Sequence, residues 1–185
     1  MNDTLVLVDG NDSIIGYEEK EPCHLVPTKL HRAFSIFILN SAGEMLIHQR
    51  GSLKKTWPGY WTNACCSHPR KGETLEKAAT RRLHEELGFE TTLTHLFSFR
   101  YEADYDGEYG ENEIDHVFLG IYDGKINQDR NEIEDWKFIG IKGLMEDIST
   151  NHETYTPWFK EALPGVLTCL RDYFVPEPSP TRDST

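Results

Sequence analysis

Residues 57–69 read Trp57-Pro58-Gly59-Tyr60-Trp61-Thr62-Asn63-Ala64-Cys65-Cys66-Ser67-His68-Pro69. The three aromatic rings of this stretch are expected to line a pocket, and the Pro-Gly pair predicts a turn between them. Cys66 and His68 stand two positions apart, and alternate residues of an extended segment point to the same side. Alone, such a pair is more often a buried apolar cysteine and a loop histidine. The rest of the chain decides between that interpretation and a reactive pocket.

The segment that follows, residues 74–87, has the pattern of an amphipathic helix. Its apolar residues recur on one face and are Leu75, Ala78, Ala79 and Leu83. Thr74 can cap the N-terminus, and Gly88 suits the end of the helix. Arg82 and Glu86 are four apart and therefore lie on the same side of the helix.

The other elements suggest strands around this helix. Strands are predicted at residues 5–8, 14–17, 30–39, 45–50, 93–101, 114–122 and 136–139, with a hairpin turn at 40–44. Residues 18–27 are expected to be irregular and 104–110 to form a tight loop. Further helices are predicted at 141–148 and 156–173, the latter broken at Pro164-Gly165. The pattern predicts an α+β or α/β sandwich.

Length and composition favour one domain over residues 1–174 with a substantial core, followed by a disordered, proline-containing tail at 175–185. The net charge of −12 argues against nucleic-acid binding but not against a small anionic substrate. No apolar run reaches membrane-spanning length, and the start lacks the pattern of a signal peptide, so a cytoplasmic monomer or homodimer without membrane contact is expected. Free thiols are expected at Cys23, Cys65, Cys66 and Cys169.

Residues 67–89 resemble the Nudix box, in which Gly, Glu and an Arg-Glu-apolar-any-Glu-Glu-any-Gly motif recur at fixed spacing. Two positions depart from that pattern: Ser67 replaces Gly, and Arg82 replaces a metal-binding Glu. With the Cys-any-His entry, this resembles one branch of the superfamily, the type 1 isopentenyl-diphosphate isomerases. Other matches to the family pattern are Cys23-His24, His31, Phe99-Arg100-Tyr101, Glu111-Asn112-Glu113 and Tyr155-Thr156-Pro157-Trp158. The resemblance implies the Nudix fold, a mixed sheet packed between helices.

The resemblance implies a metal site. Its ligands would be His24, His31, His68, Glu111 and Glu113. The two glutamates are two apart at a strand entry, so both can face one side. Three imidazoles and two carboxylates do not choose sharply between Mn²⁺, Mg²⁺ and Zn²⁺, and the family implies Mn²⁺ or Mg²⁺. Glu86 matches a carboxylate that helps to hold a second Mg²⁺ against the substrate diphosphate.

The implied reaction is a 1,3-proton shift that interconverts isopentenyl diphosphate and dimethylallyl diphosphate. Cys66 and Glu113 would transfer the protons, and Tyr101 would hydrogen-bond Glu113 or relay its proton. Either could be the acid or the base, and the side chain of Cys65 should point away from that of Cys66. The substrate contacts implied for the diphosphate and the cation-like intermediate are Lys20, Arg50, Lys54, Ser67, Arg82 and Trp158.

Two other functions remain in view. A Nudix hydrolase of a nucleoside diphosphate derivative would share the box, but Arg82 weighs against it, and the Cys-Ser-His and Glu-Asn-Glu motifs would have no purpose. A catalytically inactive Nudix-fold binding module is a third class, disfavoured because every candidate acid, base and ligand is retained. A coupled assay separates the three by whether isomer, phosphate or neither appears.

Overall fold

The computed structural model describes residues 4–174, with side chains to residue 171. Within them one mixed sheet contains strands β1 Thr4–Val8, β2 Ile14–Glu19, β3 His31–Leu39, β4 Glu44–Arg50, β5 Trp61–Asn63, β6 Cys65–Ser67, β7 Leu93–Asp104, β8 Gly110–Ile121 and β9 Ile133–Gly140. The helices are α1 Lys20–His24, α2 Leu75–Leu87, α3 Ile141–Thr150 and α4 Pro157–Phe174. None of these helices combines the length and apolar character needed to cross a bilayer.

Strand β3 lies at the centre of the sheet. On one side it pairs in parallel with β8 along its whole length, from His31 opposite Glu113 to Leu39 opposite Ile121. On the other side it pairs antiparallel with β6 in its middle and with β4 at its end. Strands β6 and β8 therefore lie along opposite edges of β3, and side chains from both can meet above one face of it.

The alternation of β3 separates two layers of core. Phe34, Ile36 and Ile38 pack in the cluster that contains the buried face of α2. Phe37 and Leu39 pack in the cluster that contains the buried residues of α4. The sheet is thus packed between helices, which confirms the predicted α+β arrangement.

Helix α2 has the predicted ends. The hydroxyl of Thr74 accepts a hydrogen bond from the backbone N–H of Lys77, and the helix ends at Gly88 in the left-handed region with φ of 75°. Four apolar residues on its inner face are fully buried: Ala78, Ala79, Leu83 and Leu87. Burying a leucine side chain stabilises a fold by about 2 kcal/mol, so this face anchors the helix that carries Arg82 and Glu86.

Several boundaries differ from the sequence prediction. Residues 18–27 are not irregular throughout, because β2 continues to Glu19 and the short helix α1 follows it. This helix has a proline in its first turn and no apolar period, so the pattern gave no helical signal. The hairpin of β7 and β8 is longer than predicted and leaves only residues 105–109 as its loop. The short strands β5 and β6 were not predicted.

The predicted break in the last helix is wrong, since α4 is continuous through Pro164. Gly165 serves a different purpose there, because a Cβ at this position would lie 2.5 Å from a ring carbon of Phe97. The glycine lets α4 approach β7 closely, and the buried face of α4 holds the helix together despite the missing N–H of the proline. The predicted tail at 175–185 lies outside the described residues.

Candidate active site

A cavity of about 350 Å³ is formed by α1, β3, the loop after β4, β6, the β7–β8 hairpin and the start of α4. Most of the predicted site residues line it. The lining consists of Lys20, Glu21, His24, Phe34, Ser35, Arg50, Leu53, Lys54, Lys55, Thr56, Cys66, Ser67, His68, Tyr101, Tyr109, Glu111, Glu113 and Trp158. Three predicted residues lie outside this lining: His31, Arg82 and Glu86.

Five side chains converge at one end of the cavity: His24, His31, His68, Glu111 and Glu113. One potential ligand atom from each lies within 4.8 Å of all the others. The three imidazole rings have centroids 4.8 to 5.2 Å apart. They come from α1, the start of β3 and the residue after β6, so the tertiary fold brings them together.

Backbone carbonyls fix the tautomers of two of these histidines. Nδ1 of His24 lies 2.7 Å from the carbonyl oxygen of Lys20, and Nδ1 of His31 lies 2.7 Å from that of Lys29. Because a carbonyl only accepts, each Nδ1 carries a proton, and in the neutral form of either ring it is Nε2 that has the lone pair facing the cluster.

The carboxylates face those lone pairs at short range. Nε2 of His24 is 3.0 Å from Glu111, Nε2 of His31 is 3.2 Å from Glu113, and Nε2 of His68 is 2.7 Å from Glu113. Two acceptors at such distances repel each other unless a proton or a metal cation lies between them. Nε2 of His31 and Oε2 of Glu111 are buried without a hydrogen-bond partner among the described residues. The arrangement is compatible with a divalent metal ion.

Burial and charge act against each other in this cluster. Burial raises the pKa of Glu113, but the imidazoles of His31 and His68 outweigh burial and hold that pKa well below its usual value. Burial moves the pKa of His68 well below its usual value despite Glu113. For His24, burial lowers the pKa and Glu111 more than reverses the change. The ionised form of Glu113 therefore depends on positive charge or N–H donors at the imidazole positions.

The thiol of Cys66 reaches the cavity from β6. Its sulfur lies 2.9 Å from Oδ1 of Asn63, 3.1 Å from Nε1 of Trp158 and 3.5 Å from the hydroxyl of Ser35. Burial and the nearby charge of Asp115 raise the pKa of Cys66 to about 12, so the sulfur is a neutral thiol at pH 7. The neighbouring Cys65 is fully buried on the α2 side of the sheet, as its predicted opposite direction requires.

Glu113 reaches the cavity from β8, on the far side of β3 from Cys66. The hydroxyl of Tyr101 donates a hydrogen bond of 2.5 Å to Oε2 of Glu113. Burial and the charge of Glu113 raise the pKa of Tyr101 well above its usual value, so the phenol keeps its proton. One carboxylate oxygen thus faces the histidines while the other accepts from a phenol.

Trp158 forms an aromatic part of the wall, and the other predicted rings do not. The guanidinium of Arg50 lies 5.0 Å from the centre of the Trp158 ring and donates hydrogen bonds to the carbonyl oxygens of Thr56 and Trp57. Trp57 packs edge-on behind Trp158 at 5.3 Å, and Tyr60 and Trp61 pack beside the same core. The prediction that these three rings line the pocket is wrong, because they pack against the core cluster behind Trp158 instead of facing the cavity.

The predicted phosphate-binding cations fall into two groups. Lys20, Lys54 and Arg50 line the cavity, as does Ser67. Arg82 lies outside the lining and pairs with Glu86, and it also contacts Glu132 at 3.1 Å. Lys54 pairs with the same Glu132. Burial opposes the charge of Glu132, but Lys54 and Arg82 lower its pKa to about 2.

Sequence reasoning missed several residues around the predicted ones, and four of them are Glu132, Ser35, Asp115 and Asn63. Glu132 ties Lys54 to Arg82, while Ser35 donates a hydrogen bond of 2.7 Å to Asp115 beside the thiol. Burial and the charge of Glu113 raise the pKa of Asp115 to about 8. Asp115 follows Glu113 by two positions, so the strand period could have identified it. Asn63 is the fourth, and it gave no signal beyond its nearness to Cys66.

The NUDIX domain family matches residues 29–159 of this chain. The Isopentenyl-diphosphate Delta-isomerase of Serratia proteamaculans is 43% identical over 172 residues, which cover 93% of this chain and 92% of the relative. The Isopentenyl-diphosphate Delta-isomerase 1 of Aromatoleum aromaticum is 41% identical over 93% of this chain and 97% of the relative. Among solved structures, the MutT protein of Methanosarcina mazei aligns with a TM-score of 0.63 at 17% identity, over 79% of this chain and 96% of its own. That level of identity supports the fold alone.

Proposed function

The chain belongs to the isopentenyl-diphosphate Delta-isomerase family of NUDIX-domain proteins, and we propose from this that it interconverts isopentenyl diphosphate and dimethylallyl diphosphate. The observation that carries the proposal is the position of two proton-transfer groups. Cys66 and Glu113 stand on strands that flank β3, and both line one cavity. A 1,3-proton shift needs such a pair, because one carbon gains a proton while another loses one.

The metal site of the proposal consists of His24, His31, His68, Glu111 and Glu113. We infer Mn²⁺ or Mg²⁺ there. When bound, such an ion would supply positive charge that offsets the buried carboxylates and fixes the rotamer of Glu113. Backbone carbonyls already orient His24 and His31 with Nε2 toward the cluster.

A second ion, Mg²⁺ accompanying the substrate diphosphate, remains a prediction for Glu86. This carboxylate is buried, is paired with Arg82 and lies outside the cavity lining. It offers one protein ligand, and Mg²⁺ usually completes its shell with water and phosphate oxygens. No step of the reaction is assigned to it.

The diphosphate is held by the cationic side of the cavity. Lys20 and Lys54 present ammonium groups there, Arg50 presents its guanidinium, and Ser67 lies at the end of β6 with its backbone N–H. Arg82 is linked to Lys54 because both side chains pair with Glu132, so it contributes positive charge next to Lys54. The alkenyl part of the substrate then lies toward Cys66 and Glu113, away from the cationic side of the cavity.

In the forward direction one of Cys66 and Glu113 gives a proton to the terminal alkene carbon of isopentenyl diphosphate, and a tertiary cation-like species results. The other removes a proton from the neighbouring carbon, which forms the new double bond. The two groups end the turnover with exchanged protonation states, and proton exchange with solvent water restores them. Because the reaction is reversible, the two groups exchange roles in the reverse direction. The face of Trp158 can stabilise the positive charge, and its ring cannot attack the cation as water would.

Hydrolysis of a nucleoside diphosphate derivative is the less favoured function. At the box position where a hydrolase needs a metal carboxylate, this chain has Arg82, which pairs with Glu86. A positive side chain there repels the cation that a hydrolase uses to activate water.

A single assay tests the proposal. Metal-loaded protein is incubated with isopentenyl diphosphate in deuterated water, and both isomers and free phosphate are measured. We expect dimethylallyl diphosphate with deuterium at the protonated carbon, and no phosphate release above the rate of the Cys66→Ala variant. Release of phosphate from nucleoside diphosphates at ordinary enzymatic rates, without isomerisation, would refute the proposal.

A further inference from the structure

Asn63 is fully buried at the end of β5 and makes four hydrogen bonds through its side chain. Its Nδ2 donates to the carbonyl oxygens of Ile36 at 3.1 Å and Cys65 at 3.0 Å. Its Oδ1 accepts from the hydroxyl of Thr62 at 3.0 Å and from the thiol of Cys66 at 2.9 Å. Both donors of the amide and both lone pairs of its oxygen are used.

This network permits one orientation of the amide. If the side chain were flipped, Oδ1 would face two carbonyl oxygens, and four acceptor lone pairs would be left against each other in a buried site. Such unpaired buried acceptors are costly. The backbone of β3 and β6 therefore sets the direction in which Oδ1 of Asn63 points, and that direction is toward the sulfur.

The other groups around the sulfur leave the thiol proton one close acceptor. Nε1 of Trp158 can only donate, and it lies 3.1 Å from the sulfur. The hydroxyl of Ser35 donates a hydrogen bond of 2.7 Å to Asp115. The oxygen of that hydroxyl lies 3.5 Å from the sulfur. Oδ1 of Asn63, at 2.9 Å, is nearer.

We propose that Asn63 is a positioning residue that holds the S–H bond of Cys66 in a fixed direction between the donor Trp158 and its own amide oxygen. Asn63 does not line the cavity, whereas Cys66 does. The resting S–H therefore points into the protein wall, and the sulfur presents its remaining surface to the cavity. The role of the thiol in proton transfer rests on the proposed function, but the geometry of the S–H bond does not.

Infrared spectroscopy of the S–H stretch tests the geometry without any assay of activity. The band of Cys66 is isolated by subtracting the spectrum of the Cys66→Ala variant from that of metal-loaded wild-type protein. The subtraction cancels the bands of the other three thiols, which both proteins contain. We expect a band displaced to the low frequency of a hydrogen-bonded thiol. A band at the frequency of a free thiol would overturn the proposal, even if the protein is an active isomerase.

Two variants test the consequence for the reaction. Asn63→Leu has a similar volume and no acceptor, so the band should move to higher frequency. We expect kcat to fall by about 10- to 100-fold, because the sulfur loses one of the two contacts that fix its position and a displaced proton-transfer group loses that much rate. KM should change less than about twofold because other residues hold the diphosphate. Asn63→Asp retains an oxygen acceptor and, because burial against two carbonyl oxygens favours the neutral acid, keeps one of the two donors to the backbone. It should keep the low-frequency band and more of kcat than Asn63→Leu.

The outcomes separate the two proposals. A shifted band in Asn63→Leu with undiminished kcat would show that the orientation has no role, and would overturn the positioning. Equal losses of kcat in both variants with an unshifted band would assign Asn63 to strand packing alone, and would overturn it as well. If Asn63→Leu does not fold, the wild-type band and Asn63→Asp still decide. Absence of isomerisation in wild type, with a hydrogen-bonded band, would refute the function and leave the geometry standing.

Discussion

The adjacent cysteines allow a crossed test, in which one substitution should damage activity and the other stability. In Cys66→Ala the cavity loses one of its two proton-transfer groups. General acid–base catalysis contributes roughly 100- to 10,000-fold, which corresponds to about 3 to 5 kcal/mol of activation free energy. The turnover rate of Cys66→Ala should therefore fall by at least roughly 100-fold. Cys66→Ser should keep a trace at most, because a hydroxyl is far less acidic than a thiol.

The stability of Cys66→Ala should change little. Its sulfur is only partly buried, and its two closest partners keep other hydrogen bonds, since Nε1 of Trp158 and Oδ1 of Asn63 both also contact the hydroxyl of Thr62. Cys65→Ala should behave in the opposite way. Cys65 is fully buried against the α2 side of the sheet, so loss of its sulfur should cost about 1 kcal/mol of unfolding free energy. For a chain of this size that lowers the Tm by about 2–4 °C.

The assay combines turnover of isopentenyl diphosphate in deuterated water with thermal unfolding of the same metal-loaded samples. The expected result is near wild-type turnover with reduced Tm for Cys65→Ala, and lost turnover with near wild-type Tm for Cys66→Ala. Survival of activity in Cys66→Ala together with its loss in Cys65→Ala would show that the wrong cysteine has been assigned. Normal deuterium incorporation by Cys66→Ala would remove the thiol from the mechanism.

Three further predictions follow from the site and the fold. Chelation should abolish isomerisation, Mn²⁺ or Mg²⁺ should restore it, and His31→Asn should retain less metal by elemental analysis; full activity of metal-free protein would contradict the assignment. Tyr101→Phe removes the 2.5 Å hydrogen bond to Glu113 and should lower kcat by about 10- to 100-fold, as expected for a hydrogen bond to a charged group, with metal content unchanged; an unaltered kcat would show that the phenol is dispensable. Gly88 has a φ of 75°, and a Cβ there would lie 2.8 Å from the Asn127 carbonyl oxygen, so Gly88→Ala should lower the free energy of unfolding in urea by about 2–4 kcal/mol. Gly43 has a φ of 77° and open space around it, so Gly43→Ala should lower it by about 1 kcal/mol. Equal losses in the two variants would contradict the clash.

Features with a local cause could be predicted from the sequence. Helix α2 follows from one apolar stripe between Thr74 and Gly88. Cys66 and His68 face one cavity because the segment between them is extended, and the same rule sends Cys65 to the other side. Such inferences need only the period of the backbone.

Features set by pairing between distant strands could not be derived in that way. The strand register places His31 opposite Glu113, although the two residues are 82 positions apart along the chain. Only the family resemblance suggested that they meet. Asn63 and Glu132 were missed because their partners are backbone carbonyls or side chains far along the sequence. Trp57 was misplaced because its ring packs behind Trp158, a contact between residues far apart in the sequence that leaves no local signal.

Strand β3 tolerates no change in length. His31 and Ser35 face the cavity side of the sheet, while Phe34 and Ile36, between and beyond them, face α2. Deletion of one residue between positions 31 and 35 would exchange the two faces for every residue on one side of the deletion. Either the metal cluster would lose His31 and the thiol would keep its surroundings, or Ser35 and Phe37 would turn into the α2 layer and Ile36 toward the site. A single substitution along β3 keeps this assignment of faces, whereas a deletion changes it for part of the strand and shifts its register against β1, β4, β6 and β8 together.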